Sequence, residues 1–160
     1  MTTSAADKLV MFRLGDADFA ADIFAVERVL RYAAPTAVPD MHAYIEGVMD
    51  YQGRVLPVVN LRRRFELPPA AAAAETRILV LNVSGEWIGV VVDGVTEVAA
   101  FDRASLSAPP KLFRGLAREY VKGIIRRGER LLIYLDVEHL LSSTERIALQ
   151  RAGEKELAHG

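Results

Sequence analysis

Apolar residues in this chain fall into short runs that alternate with polar positions or stop at turn residues. "LVMFRLG" (Leu9–Gly15) and "LVLNVSG" (Leu79–Gly85) each end on a glycine. "YIEGVMDYQGRVLPVVNL" (Tyr44–Leu61) and "YVKGIIRRGERLLIYLDV" (Tyr120–Val137) each carry two apolar arms about a glycine-containing turn. Runs of this length, rich in Val, Ile and Leu, predict β-strands and hairpins. In the second arms both strand faces are apolar. Val55, Pro57, Val59 and Leu61 share one face, and Leu56, Val58 and Asn60 the other. Leu131, Ile133, Leu135 and Val137 oppose Leu132, Tyr134 and Asp136 in the same way. Strands apolar on both faces are covered on both sides. Pro57 has no N–H to give a ladder, which predicts an edge or a bulge. "YQGR" and "RRGE" each place Gly where a hairpin turn requires positive φ.

The plan is written twice. The first pair of runs matches at an offset of 70 and "VERV" (Val26–Val29) matches "VTEV" (Val95–Val98) at 69. The long stretches match at 76 from their tyrosines, with a one-residue slip at the turn. Loops of unequal length account for the variation. The period is too long and the copies too few for a solenoid. Two small barrels of about five strands are expected. A barrel of roughly 60 residues has a thin core of its own, so the two should pack together. One is placed at about 15–68 and the other at about 8–14 plus 76–137. "NLRRRFEL" predicts one helical turn, with Leu61 and Phe65 inward and Arg62, Arg63 and Arg64 in water; "DVEHLL" predicts another. A C-terminal helical segment is expected over 138–152, with Ser142 and Glu145 at capping-box spacing, and a frayed tail over 153–160. "LPPAAAAAE" (Leu67–Glu75) and "SAPPKLFRG" read as loops.

Composition narrows the function. At 51% hydrophobic and 26% charged the chain reads as globular. A net charge of -1 provides no global field for nucleic acid or anionic lipid. Cysteine is absent, which excludes disulfides, thiolate ligands and a cysteine nucleophile. The N-terminus lacks the basic-then-apolar pattern of a signal peptide, and no apolar run approaches the roughly 20 residues of a membrane helix. A cytoplasmic protein without direct membrane insertion is expected. Neither phosphate-binding glycine motif nor G-x-S-x-G occurs. His42, His139 and His159 lie far apart, and Asp136 with His139 reads as a strand exit followed by a surface histidine. Arg62–Arg64 could contact phosphates, but no aromatic residues for base stacking are interleaved with it. A small nucleic-acid-binding barrel is therefore the alternative from another class. The main expectation is a binding module with no catalytic, cofactor or metal site.

Four segments carry a family resemblance: "MFRLGDADFAADIFAVERVL", "AVPDMHAYIEGVMDYQGRVLPVVNLRRRF", "RILVLNVSGEWIGVVVDGVTEV" and "YVKGIIRRGERLLIYLDVEHLL". In this order, from about Leu9 to Leu141, the chain resembles the CheW family of chemotaxis coupling proteins. The resemblance implies a mainly β fold of two intertwined five-stranded SH3-like β-barrels with a short C-terminal helix, one domain over 8–145. It implies no catalysis and no cofactor. It also implies an adaptor between the cytoplasmic tip of a methyl-accepting chemoreceptor and the regulatory domain of a CheA-type histidine kinase. Such a protein is a monomer in isolation and is recruited to membrane-bound receptor arrays.

Carried over by motif, the receptor groove would include Val26, Val29, Leu30, Gly47 and Val48, completed by Val90 and Val95. Two positions depart from the family pattern. An expected acid is Arg28, and an expected arginine is Gln52. Arg28 is expected to find Glu27, Asp50 or solvent. A CheW-fold scaffold serving a non-flagellar system with a divergent partner is the alternative within this class.

Overall fold

The β-branched runs become strands, and two-residue turns fold them into hairpins. The computed structural model describes residues 8–39, 41–108 and 119–140. In chain order these form β1 (Lys8–Leu14), β2 (Ala17–Asp22), β3 (Val26–Arg31), β4 (Ile45–Tyr51), β5 (Arg54–Asn60), α1 (Leu61–Arg64), β6 (Arg77–Val83), β7 (Glu86–Val92), β8 (Gly94–Ala100), β9 (Leu106–Ser107), β10 (Val121–Arg127) and β11 (Arg130–Leu135). A 3-10 turn at Val137–His139 follows β11. The expected helix over 138–152, its cap at Ser142 and Glu145, the tail, and most of "SAPPKLFRG" lie outside the described residues. "LPPAAAAAE" is a loop, as its prolines require.

The strands form two sheets, ordered β8-β1-β2-β11-β10-β9 and β3-β6-β7-β5-β4. Pairing is antiparallel except for β2 with β11 and β5 with β7. The hairpin β1–β2 opens the first copy but sits in the sheet of the second. The hairpin β6–β7 opens the second copy and sits in the sheet of the first. The barrel boundaries expected from sequence therefore need correction. Residues 17–22 belong with the second body and residues 77–92 with the first. Each copy lends its leading hairpin to the other, which intertwines the two.

Each sheet also joins its own ends. Beyond β3 the chain crosses to the far edge, where Thr36 bridges Val48 of β4 through two backbone hydrogen bonds of 2.8 and 2.9 Å. Beyond β8 the short β9 pairs with β10 in the equivalent place. Here the repeated "Y-x-x-G" finds its reason. A Cβ on Gly47 would lie 2.0 Å from the Thr36 carbonyl oxygen, and one on Gly123 would lie 2.5 Å from that of Ser107. Only glycine lets the crossing segment approach this closely.

The pairing also corrects the repeat. β1–β2 and β6–β7 superpose at an offset of 69, in step with "VERV" and "VTEV", and β4–β5 matches β10–β11 at 76 throughout. Aligning turn glycines had shifted the first pair by one residue and created the apparent slip in the second. Gly15 and Gly128 take the first turn position, whereas Gly53 and Gly85 take the second, after Gln52 and Ser84, which also have positive φ. Positive φ at both positions is the type I′ requirement, and glycine at the first alone suffices for type II′. Glycine marks the turn here and not the register.

With the register corrected, the core divides cleanly. Phe12, Leu14, Phe19 and Ala21 and their repeat counterparts Leu81, Val83, Ile88 and Val90 all join one cluster between the sheets, with Leu61, Leu79 and Tyr120. Leu9, Met11, Ala20, Ile125 and Leu132 fill one barrel. Leu56, Val80, Val58 and Ile78 fill the other. β5 thus has Val59 in the shared core and Leu56 and Val58 inside its barrel, the double coverage its pattern predicts. Pro57 is corrected. It lies in a strand flanked on both sides, opposite Val48, just before the parallel ladder to β7 begins at Val58. A proline is tolerated there because it stands outside that parallel ladder, and Val48 opposite it gives its backbone bonds to Thr36, so no N–H is required of it.

Two of the three arginines of α1 are corrected too, while Arg63 is exposed as expected. Asn60 caps this turn, accepting from the Arg63 N–H at 3.1 Å. Leu61 is buried as expected, but Arg62 pairs with Asp93, and Arg64 lies over the rings of Tyr44 and Tyr120 at 4.2 and 5.1 Å. Arg64 also donates to the Leu140 carbonyl at 2.9 Å, so one guanidinium ties the paired tyrosines of both copies to the chain beyond β11.

Replacement of Gly47 by Ala should cost about 2–4 kcal/mol, because backbone must move to admit the methyl group. Gly53→Ala, in an open turn, should cost only about 1 kcal/mol. Urea unfolding of the two variants against the parent checks the contrast, and equal losses would contradict the crossing-strand explanation.

Candidate docking groove beside the shared core

β3 is an edge strand whose Val and Leu positions alternate between two destinations. Residues directly opposite across a ladder share a face. Val29 pairs with Leu79, Leu79 with Val90, Val90 with Val59, and Val59 with Ile45. Every member of this row except Val29 is buried in the shared core. Val29 ends the row at the open edge, 42% exposed. The core face therefore continues onto the surface at this strand. The second sheet repeats the device. Val98 pairs with Val10, which pairs with Ala21 of the shared core, and Val98 is 54% exposed.

The other sequence-derived positions divide by depth. Val26 and Val95, equivalent in the repeat, both pack against the shared core while partly exposed. Leu30 points into its own barrel against the clusters of Leu56 and Val58. Val48 and Val90 are buried, at 2% and 1% exposure, so neither offers surface to a partner, and Val48 lies on β4, at the end of the sheet away from β3. Gly47 is buried at the crossing. Arg28 is exposed and, among the described residues, makes no hydrogen bond or ion pair, so solvent is its environment. Gln52 occupies the exposed β4–β5 turn, held at a φ of 52° by the type I′ geometry. The structure thus brings Val26, Val29 and Val90 to one face, and sets Leu30 and Gln52 elsewhere.

Among the described residues, four exposed large apolar side chains escaped the sequence reading: Phe24, Val98, Leu106 and Leu131. Leu131, expected to be covered as part of β11, is 54% exposed beside the β10–β11 turn. Val98 is the repeat partner of Val29, and the offset of 69 already contained that signal. Phe24, 66% exposed, sits in the 3-10 turn just before β3, where Asp22 accepts from its N–H at 2.9 Å. No periodicity in the sequence marks Phe24 as exposed.

Polar groups beside α1 and the β7–β8 crossover are matched with one another. Arg62 donates twice to Asp93, at 2.9 and 2.5 Å, and once to the Pro68 carbonyl at 2.7 Å. Asp93 also accepts from the Gly15 N–H at 2.6 Å. Asp93 lies where the chain passes from β7 to β8, from one sheet to the other. The bidentate pair therefore fastens the crossover to the β1–β2 turn and to α1. The Arg62 hydrogen bond, helped by that from Gly15, holds the Asp93 carboxyl below the usual carboxylate range against the opposing effect of burial. Nearby, Glu46 accepts from Tyr32 at 2.9 Å and from Asn60 at 2.6 Å, in a polar hollow of about 320 Å³. Burial, then the bond to Glu46, pushes the Tyr32 phenol up. Asp136 and the exposed His139 meet at 2.6 Å. Among the described residues, no group of three or more His, Cys, Asp or Glu side chains converges as metal ligands would.

Two hairpin-swapped barrels on a common core, with apolar edges open to solvent, define a two-barrel scaffold. Known proteins share it. A family model described as the CheW-like domain matches residues 8–145. The chain is 31% identical over 142 residues to the chemotaxis protein CheW of Treponema pallidum (strain Nichols), covering 86% of this chain and 84% of that protein. It is 33% identical over 138 residues to the chemotaxis protein CheW of Klebsiella aerogenes, covering 86% and 83%. The crystal structure of the scaffolding protein TtCheW from Thermoanaerobacter tengcongensis superposes with a TM-score of 0.79 at 27% identity, covering 88% of this chain and 90% of that one. The chain belongs to the CheW-like family, the scaffold and adaptor proteins of chemotaxis. No helix among the described residues is long and apolar enough to cross a membrane.

Because Asp93 titrates lower in the folded state than in the unfolded one, its contribution is present above the unfolded value of about 3.9 and is lost as pH falls through the folded one. Asp93→Asn should destabilise the protein by about 1.5–3 kcal/mol near neutrality. It should also flatten the loss of stability seen on acidification below about pH 5. Denaturant midpoints from pH 7 to pH 3 read both effects, and an unchanged acid limb in the variant would contradict the clamp.

Proposed function

We propose that this protein is a non-catalytic cytoplasmic adaptor. It couples the cytoplasmic tip of a chemoreceptor to the regulatory domain of a CheA-type histidine kinase and is recruited to receptor arrays. The receptor's helical hairpin lies along β3, with Val29 as the apolar anchor and Val26 beside it. Recognition is helix-in-groove: an amphipathic helix buries its apolar face on an exposed extension of the core. The observation that carries this reading is the row Val29–Leu79–Val90–Val59–Ile45, which passes from deep core to open surface within one ladder.

The exposure of Arg28 favours a second reading within the same class, a scaffold with a dedicated, divergent receptor. A charge of changed sign at a partner-facing edge acts mainly on partner choice. Arg28→Glu should then improve binding to the receptor tip of a typical family member. No change on that substitution, with tight binding already in the parent, argues for an ordinary receptor.

Purified protein should capture both a receptor cytoplasmic fragment and a kinase regulatory domain from its own organism. Val29→Asp should weaken receptor capture by more than roughly thirtyfold, as expected for a central anchor. It should leave kinase capture unchanged and lower stability by only about 1 kcal/mol. Capture of neither bait by folded protein overturns the adaptor reading.

A further inference from the structure

Two arginines face each other beside the Val29 anchor. Arg31 of β3 pairs directly with Arg77 of β6, which in turn pairs with Val92 of the shared core. This row lies two residues along from that of Val29 and Leu79, so it shares their face. Like charges directly opposite in a ladder are destabilising. Among the described residues no anion relieves this pair. The Arg31 side chain makes no hydrogen bond or ion pair with any described residue. Arg77 donates only to neutral carbonyls, those of Ala74 and Thr76, at 2.8 and 2.9 Å. Between the two arginines lies an open hollow of about 350 Å³, lined also by Tyr32, Ala73, Ala74 and Thr76.

The repeat shows that the fold does not demand this arrangement. At the equivalent place in the other sheet Lys8 stands opposite Ala100, beside Val98. The two apolar edges are related by the duplication and differ in charge. One offers an anchor with two facing cations, the other an anchor with a single lysine.

Resting on the docking of a partner helix along β3, we propose that Arg31 and Arg77 are the specificity-determining half of that site. They receive a carboxylate placed one helical turn from the partner's apolar anchor. The spacing fits. Two residues along a strand cover about 6.7 Å, and four residues along a helix cover about 6 Å. A helix lying along β3 therefore presents positions four apart to Val29 and to the arginine pair. Guanidinium groups hold a carboxylate by paired, charge-assisted hydrogen bonds. The incoming acid also removes the repulsion, so binding and local relief coincide. The same charge pattern directs the acidic helix to the β3 edge and away from the β8 edge.

The test measures affinity of the full chain for a receptor cytoplasmic fragment from the same organism, at about 0.05 and about 0.5 M NaCl. The kinase regulatory domain serves as a fold control. The parent should bind more weakly at high salt. The double variant Arg31→Glu, Arg77→Glu should bind roughly tenfold or more weakly and lose most of the salt dependence. Kinase capture should be unchanged. Arg31→Ala, which removes the repulsion, should melt no lower than the parent. Parent-like receptor binding by the double variant, with binding lost in Val29→Asp, overturns the arginine proposal and leaves the docking groove standing. If the parent binds no receptor fragment while capturing the kinase domain, the groove reading fails, and this proposal fails with it.

Discussion

Neither sheet can bury its outer face alone, and the structure follows from that constraint. Each barrel, one of six strands counting the short β9 and one of five, closes around a few side chains, here Leu9, Met11 and Leu132 in one and Leu56, Val58 and Ile78 in the other. The remaining apolar positions, Phe12, Phe19, Leu79, Val59 and Val90 among them, face outward from their barrels. Only a second sheet can remove them from water. Exchange of the leading hairpins makes that second sheet obligatory, because each barrel is incomplete without strands of the other copy. Burial of a Leu or Phe side chain contributes about 1.5–3 kcal/mol, so the shared cluster dominates the favourable side of the balance.

Polar contacts then fasten what the core has brought together. The chain changes sheets between β7 and β8, and at that crossing Asp93 accepts from Arg62 and from Gly15. Arg64 spans Tyr44 and Tyr120 at a similar junction between the copies. Both arginines come from a run that looks like a solvated basic face. They are partly buried because α1 is a single turn whose Arg62 and Arg64 sides meet the β7–β8 crossover and the two tyrosines, which leaves Arg63 exposed.

The proposed docking surface arises from the same core. A ladder row is apolar for as long as its strands face the other sheet, and at β3 and β8 it outruns that cover. Val29 and Val98 are therefore core residues by position and surface residues by exposure. An adaptor needs such places, rigidly held and apolar, and a duplicated fold supplies them in pairs. The duplication has since diverged in charge, with Arg31 and Arg77 at one edge and Lys8 with Ala100 at the other. On the proposal made above, that divergence distinguishes two otherwise similar edges.

The sequence by itself determined the strands, the duplication and the family. Local alternation, β-branched runs and glycine turns are short-range signals, and short-range signals survive in one dimension. It also determined that β5 is covered on both faces, whereas β11 is covered only from Leu132 onward, because Leu131 beside its turn stands in water. Tertiary structure alone decided which sheet each hairpin joins, because a strand carries the same pattern whichever barrel receives it. It decided the register of the repeat, which the turn glycines misstate by one residue. It separated Val29 from Val90, two valines of one row, into surface and core, since exposure depends on where the opposite sheet stops. It paired Arg62 with Asp93 and set Arg31 against Arg77, because charges distant in sequence meet only when ladders align them. The chain specifies its elements locally, and the boundary between core and exposed apolar edge is set by how far two sheets overlap.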